Sequence, residues 1–152
     1  TELDDYTKGK LKFPFRNLAV GLHTITFKAW DVYNNPITSE IQFIVVGDES
    51  IQITNVLNYP NPFVNYTQFW FTHNKPFEPL EVQVQVMTVS GKIVWSKNQT
   101  VTTEGFLSRE ITWDGKDDFG DRIGKGTYIY KLTVKSVLTN TRTEKYEKLV
   151  IL

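Results

Sequence analysis

From Leu80 to Val86 every second residue is aliphatic and every residue between is polar: Leu80, Val82, Val84 and Val86 alternate with Glu81, Gln83 and Gln85. Successive side chains of a strand point to opposite faces, whereas a helix would scatter these residues around its circumference. The segment is therefore a strand with one dry face and one wet face. Tyr128, Tyr130, Leu132 and Val134 set against Ile129, Lys131 and Thr133 repeat the pattern, and no helical period competes with it. The chain is predicted to be all-β.

Strands are predicted at 51–57, 67–72, 80–89, 92–100, 107–113, 127–136 and 142–152, separated by turn chemistry such as Ser90-Gly91 and the glycine-rich stretch 114–126. Seven short strands in about 100 residues fit an immunoglobulin-like β-sandwich. Upstream, 10–15, 22–30 and 39–46 read as three further strands, with Asp31-Val32-Tyr33-Asn34-Asn35-Pro36 as a turn. Three strands bury too little surface to close a sandwich, so 1–49 reads as the tail of another immunoglobulin-like domain. Residues 50–152 form the complete one, and Gly47-Asp48-Glu49-Ser50 is the linker. The unpaired edges of the first unit predict strand pairing between two copies, a homodimer.

Charge and composition exclude several classes of function. Seventeen Lys and Arg balance seventeen Asp and Glu, leaving no basic stripe for a phosphate backbone, so nucleic acid is not an expected partner. No apolar run reaches the roughly 18 residues of a membrane-spanning helix, so no transmembrane segment is expected. Thr1-Glu2-Leu3-Asp4-Asp5 is not a secretory leader, and Thr1 reads as a processed end or an artificial boundary. Cysteine is absent, which removes disulfides, thiolate metal sites and a cysteine nucleophile. His23 and His73 are isolated, and no nucleophile elbow, metal-binding helix or phosphate loop appears, so neither catalysis nor a cofactor is expected.

Four segments carry more specific information. Pro60, Asn61 and Pro62 follow the 51–57 strand directly, and two prolines that lack a backbone donor must end its pairing and turn the chain over the end of the sandwich. Trp113, Asp114 and Gly115 open a turn with four carboxylates by Asp121; their spacing does not match a calcium loop, and the segment reads as a structural turn, with a weak cation site as the alternative. Trp30, Trp70, Trp95 and Trp113 read as core, with a sugar-stacking platform as the alternative. Finally, Lys148 leads into Leu149, Val150, Ile151 and Leu152, which are apolar on both faces. Such a strand needs cover on both sides, either as a central strand or from a partner.

From Val56 onward the sequence resembles the C-terminal signal domains of the Bacteroidetes type IX secretion system. The resemblance lies in Tyr59-Pro60-Asn61-Pro62-Phe63, in Val84-Gln85-Val86-Met87-Thr88-Val89-Ser90-Gly91-Lys92-Ile93-Val94, and in Trp113-Asp114-Gly115-Lys116-Asp117 with Gly120. It continues through Gly126-Thr127-Tyr128-Ile129-Tyr130-Lys131-Leu132 to the terminal Lys148-Leu149-Val150-Ile151-Leu152. The third and fourth blocks also resemble an immunoglobulin-like insertion of flagellar hook-capping proteins. Met87 and Thr88 depart from the aromatic and acidic residues usual in the second block.

The family's fold is an immunoglobulin-like sandwich whose last strands are read by the export machinery. By that resemblance Gly126, Tyr128, Lys148, Leu149, Val150, Ile151 and Leu152 are the recognition residues, and the partners are an outer-membrane β-barrel shuttle protein and the translocon. The contact implied is strand addition to an open edge. The block from Gly21 to Asn35 resembles the strands that precede this signal in the gingipain-like C25 cysteine peptidase acting as the pathway's sortase. The expected role is then a non-catalytic secretion signal and docking domain, exported through the periplasm to the outer-membrane surface. A cell-surface carbohydrate-binding or adhesive module is the alternative reading.

Overall fold

The computed structural model describes residues 12–16, 18–45, 47 and 49–152. The chain divides into two compact units, Thr1–Val45 and Val46–Leu152.

In the first unit, β1 (Gly21–Trp30) and β2 (Pro36–Val45) form an antiparallel hairpin in register from Gly21 opposite Val45 to Trp30 opposite Pro36. Asp31 organises the connection: its Oδ1 accepts the amides of Asn35 at 2.8 Å and Tyr33 at 2.9 Å. These bonds, that from Asn35 foremost, hold the Asp31 carboxyl below its usual range. The expected strand at 10–15 is corrected here, because 12–16 adopt no strand, while 10 and 11 lie outside the described residues. Pro14 offers no amide to a ladder.

The second unit is a two-layer β-sandwich. One sheet has the order β3-β4-β7, with β3 Ile53–Tyr59, β4 Thr67–His73 and β7 Leu107–Trp113. The other has the order β6-β5-β8-β9, with β5 Leu80–Met87, β6 Ile93–Val101, β8 Gly126–Ser136 and β9 Thr141–Ile151. Every pairing is antiparallel. All seven strands expected between 51 and 152 are present, and this is the all-β, immunoglobulin-like arrangement that the alternation implies.

The core lies between the sheets. Phe69, Phe71, Ile111 and Trp113 from one sheet meet Val84, Val86, Tyr130, Leu132, Leu149 and Ile151 from the other, all buried. Trp95 stacks on Trp113 with centroids 5.0 Å apart, and Phe69 stands edge-on to Tyr130 at 4.9 Å. Burial pushes the Tyr130 hydroxyl well above its ordinary pKa. β9 is an outer strand of its sheet, not a central one, so part of its cover must come from outside the ladder.

Candidate docking site

The segment that supplies this cover follows β3. Beyond Tyr59 the chain passes through Pro60 and Pro62, both preceded by cis peptide bonds, and lies along the outer edge of β9. Asn61 Oδ1 accepts the Val150 amide at 3.0 Å, and Asn61 Nδ2 donates to the Lys148 carbonyl at 3.2 Å. Phe63 donates its amide to the Val150 carbonyl at 3.1 Å and accepts the Leu152 amide at 2.9 Å. Residues 61–63 thus act as a short additional strand, satisfying edge groups that would otherwise face solvent. The Pro60 carbonyl accepts the buried Thr67 hydroxyl at 2.8 Å, which anchors the segment at its start.

The Phe63 ring is buried against Trp113. Trp113 donates its indole N–H to the Lys116 carbonyl at 2.8 Å, and Asp114 Oδ1 accepts the Lys116 amide at 3.1 Å. Gly115 sits at φ +75°, and a Cβ there would lie 3.3 Å from Phe63 Cε2, so both backbone shape and space favour glycine. Asp117 Oδ1 accepts the amides of Phe119 and Asp121, both at 2.9 Å. The carboxylates Asp114 and Asp117 therefore serve as turn acceptors. Among the described residues no three His, Cys, Asp or Glu side chains gather as a metal ion would require.

The remaining recognition candidates occupy the same end of the sandwich but divide by face. Gly126 pairs with Ile151 at the end of the β8–β9 ladder. Tyr128 packs against the core and donates its hydroxyl to the Gly124 carbonyl at 2.7 Å, pinning the entry to β8. Leu149 and Ile151 point inward and are buried. Val150 is half-buried on the opposite face, with Lys148 and Leu152 exposed beside it. Sequence reasoning placed Asn61 and Phe63 in a corner and missed their pairing with β9, which joins positions nearly ninety residues apart and leaves no periodic signal.

The other end of the sandwich holds buried polar groups that sequence reasoning did not single out. His73 Nδ1 accepts the Lys75 amide at 3.1 Å, and Nε2 lies 2.7 Å from Thr103 Oγ1, whose hydroxyl donates to the Gly105 carbonyl at 2.7 Å. This places the ring proton on Nε2, and burial holds the imidazole pKa down. Lys75 is buried and donates from Nζ to the Gly47 carbonyl at 2.9 Å. Glu78 is 1% exposed, and neither carboxylate oxygen has a partner within hydrogen-bond geometry. Burial pushes its pKa up, and the nearby Lys75 charge and Ser136 hydroxyl pull it partly back.

The tryptophans separate in the same way. Trp95 and Trp113 are core, which withdraws them from any sugar platform. Trp70 lies half-buried on the outer face of its sheet, with Tyr59 at 5.4 Å and the Arg109 guanidinium over its ring at 5.2 Å. Trp30 is exposed on β1.

Among solved structures the chain is similar to dimeric latent PorU from Porphyromonas gingivalis, at 29% identity and a TM-score of 0.60 over 89% of this chain. The chain spans 12% of the length of that PorU chain. A second neighbour is PorZ, described as an essential bacterial surface component of the type-IX secretion system of the same organism. It is 14% identical over 64% of this chain and 11% of its own, at a TM-score of 0.36, too low to bear on fold or role. No protein-family model matches the chain, and no curated protein matches it. The likeness to PorU agrees with the resemblance read from the sequence blocks, that of a type IX secretion-related C-terminal domain of a gingipain-like C25 sortase.

Proposed function

We propose that this chain is a non-catalytic signal and docking module of a PorU-like protein, directing its parent by type IX secretion to the outer-membrane surface and binding an outer-membrane β-barrel shuttle protein there. The observation that carries the reading is a convergence. Tyr59 to Phe63, Trp113 to Gly115, Gly126 to Tyr128 and Lys148 to Leu152 are far apart in sequence, yet they meet at one end of the sandwich through the bonds of Asn61 and Phe63, the Phe63–Trp113 contact and the β8–β9 ladder. The contacts that gather them are core packing and strand pairing, and the part left for a partner to read is the exposed remainder beside them, Lys148 and Leu152.

The test presents the purified shuttle barrel with the intact parent protein and with a parent lacking residues 50–152. Binding of the intact protein alone is the expected result. Equal binding of both, or of neither, would sink the proposal.

The hairpin supports a second association. Among the described residues neither outer edge of β1 or β2 pairs with another strand, and Ile37 and Ile41 are each more than 60% exposed. Latent PorU is dimeric, and pairing of this hairpin with a second copy is the corresponding reading for this chain. Light scattering across a concentration series checks it, and a monomer mass at every concentration would count against it.

A further inference from the structure

The outer face of the four-stranded sheet is hollow toward the end where β8 turns into β9. A cavity of about 440 Å³ opens there, lined by Glu81, Gln83, Asn98, Thr133, Lys135 and Arg142 among others. Its volume is that of a small-molecule site, but its lining is polar where such sites are usually apolar. The registers order this lining in two rows. Glu81, Lys135 and Arg142 stand side by side across β5, β8 and β9, and Asn98, Gln83 and Thr133 do so across β6, β5 and β8.

The first row contains a conflict. Lys135 lies directly opposite Arg142, and among the described ladders no other two like charges are so placed. Directly opposed like charges repel and weaken the sheet that carries them. The neighbouring carboxylates do not resolve the repulsion. Glu81 approaches Lys135 only to 3.9 Å, and Glu144, two residues from Arg142 on the same face, is drawn to Lys131 at 3.1 Å instead. Single cations without a partner are ordinary on a protein surface. Two that face each other across the floor of a cavity are not, because one anion between them satisfies both, and a local rule broken without structural gain marks a functional site.

The second row indicates what else the ligand carries. Gln83 and Asn98 bring carboxamides and Thr133 a hydroxyl, groups that both donate and accept, as the hydroxyls of a sugar do. Val82 is the one aliphatic residue of the lining, and it is buried in the core, so the nonpolar side chains of a peptide find no seat here. We propose that this cavity binds an acidic saccharide, with its carboxylate or phosphate between Lys135 and Arg142 and its hydroxyls on Gln83, Asn98 and Thr133. The site lies at the opposite end of the β8–β9 ladder from Gly126 and Ile151, and it goes beyond the docking reading without depending on it.

The experiment titrates the isotope-labelled chain with trigalacturonate, mannose phosphate, neutral maltotriose and a hexa-aspartate peptide, following backbone amide shifts. Trigalacturonate or mannose phosphate is expected to shift the amides of Gln83, Thr133, Lys135 and Arg142 saturably, and less so at high salt. A response to the first alone assigns a carboxylate, to the second alone a phosphate, and to both an anionic charge of either kind. Arg142→Glu and Lys135→Gln are expected to weaken the response about tenfold or more. The urea midpoint of Arg142→Glu should nevertheless rise, because an attracting pair replaces a repelling one, and a purely structural role would not combine the two effects. A lower midpoint would remove the conflict on which the site is argued. Equal binding of maltotriose, variants that bind like the wild type, or no response to either acidic sugar would each overturn the proposal. Binding of the peptide without the sugars would overturn it in favour of an acidic protein segment.

Discussion

The ring of Phe63 meets that of Trp113 edge-on, with centroids 5.7 Å apart and planes at 60°. Through this contact the proline corner after β3 and the turn after β7 share one aromatic cluster, while the Phe63 backbone holds Val150 and Leu152. Packing and strand pairing are therefore coupled at a single residue. Phe63→Ala removes a fully buried ring and should cost about 3–5 kcal/mol in urea unfolding. It should also speed hydrogen exchange at the Val150 and Leu152 amides. Phe119→Ala, at a site 91% exposed in the neighbouring turn, should stay within about 0.5 kcal/mol of the wild type.

Gly115→Ala brings strain and crowding together. The backbone is at φ +75°, and the new methyl would press on the Phe63 ring at 3.3 Å. A loss of about 1–2 kcal/mol is expected from the backbone alone. Gly91→Ala shares the positive φ, at +96°, but meets nothing within 4 Å. Chemical denaturation should rank Gly115→Ala as the more damaging, and the reverse order would show that the ring yields.

Much of this was legible because it is periodic. The alternation of Leu80, Val82, Val84 and Val86 identifies β5 and its core face without any tertiary information. The run Leu149, Val150, Ile151 and Leu152 is a different case. Its double-faced apolarity suits a central strand equally well, and only the topology shows β9 at an edge, with Asn61 and Phe63 beside it. Lys75 and Glu78 were illegible for a related reason: charged residues in a connection read as solvated until the fold closes over them.

His73 should make stability fall on mild acidification. Its folded-state pKa is lowered from 6.5 by burial, so the unfolded chain takes up the proton first, and stability is lost as pH falls below that value. The added proton would sit on Nδ1, facing the Lys75 amide that Nδ1 now accepts. Urea midpoints should fall between about pH 7.5 and 5.5 in the wild type and flatten in His73→Asn. An unchanged pH profile in the variant would remove His73 as the cause.

Glu78 acts with the opposite sign. Its folded-state pKa is raised from 4.5, chiefly by burial, so holding its charge disfavours the folded state at neutral pH, and the penalty fades as pH falls through the raised value. Glu78→Gln should therefore be more stable than the wild type at pH 7, with the gap closing by about pH 4. A variant less stable than the wild type at pH 7 would mean that attraction to Lys75 outweighs the burial penalty.

Leu149 and Val150 are adjacent in the chain and opposite in role. Leu149 is fully buried in the core, and Leu149→Ala should cost about 2–5 kcal/mol. Val150 is half-buried on the outer face, and Val150→Thr keeps the β-branch that suits a strand, so its cost should stay below about 1 kcal/mol. The backbone bonds of Val150 to Asn61 and Phe63 do not depend on its side chain, so amide protection at Val150 should survive this substitution. Deleting residues 148–152 would remove both contributions at once, because it takes Leu149 and Ile151 from the core along with the outward face. Point substitutions on the outer parity separate recognition from folding. Equal destabilisation by Leu149→Ala and Val150→Thr would show that the two faces of β9 are not distinct.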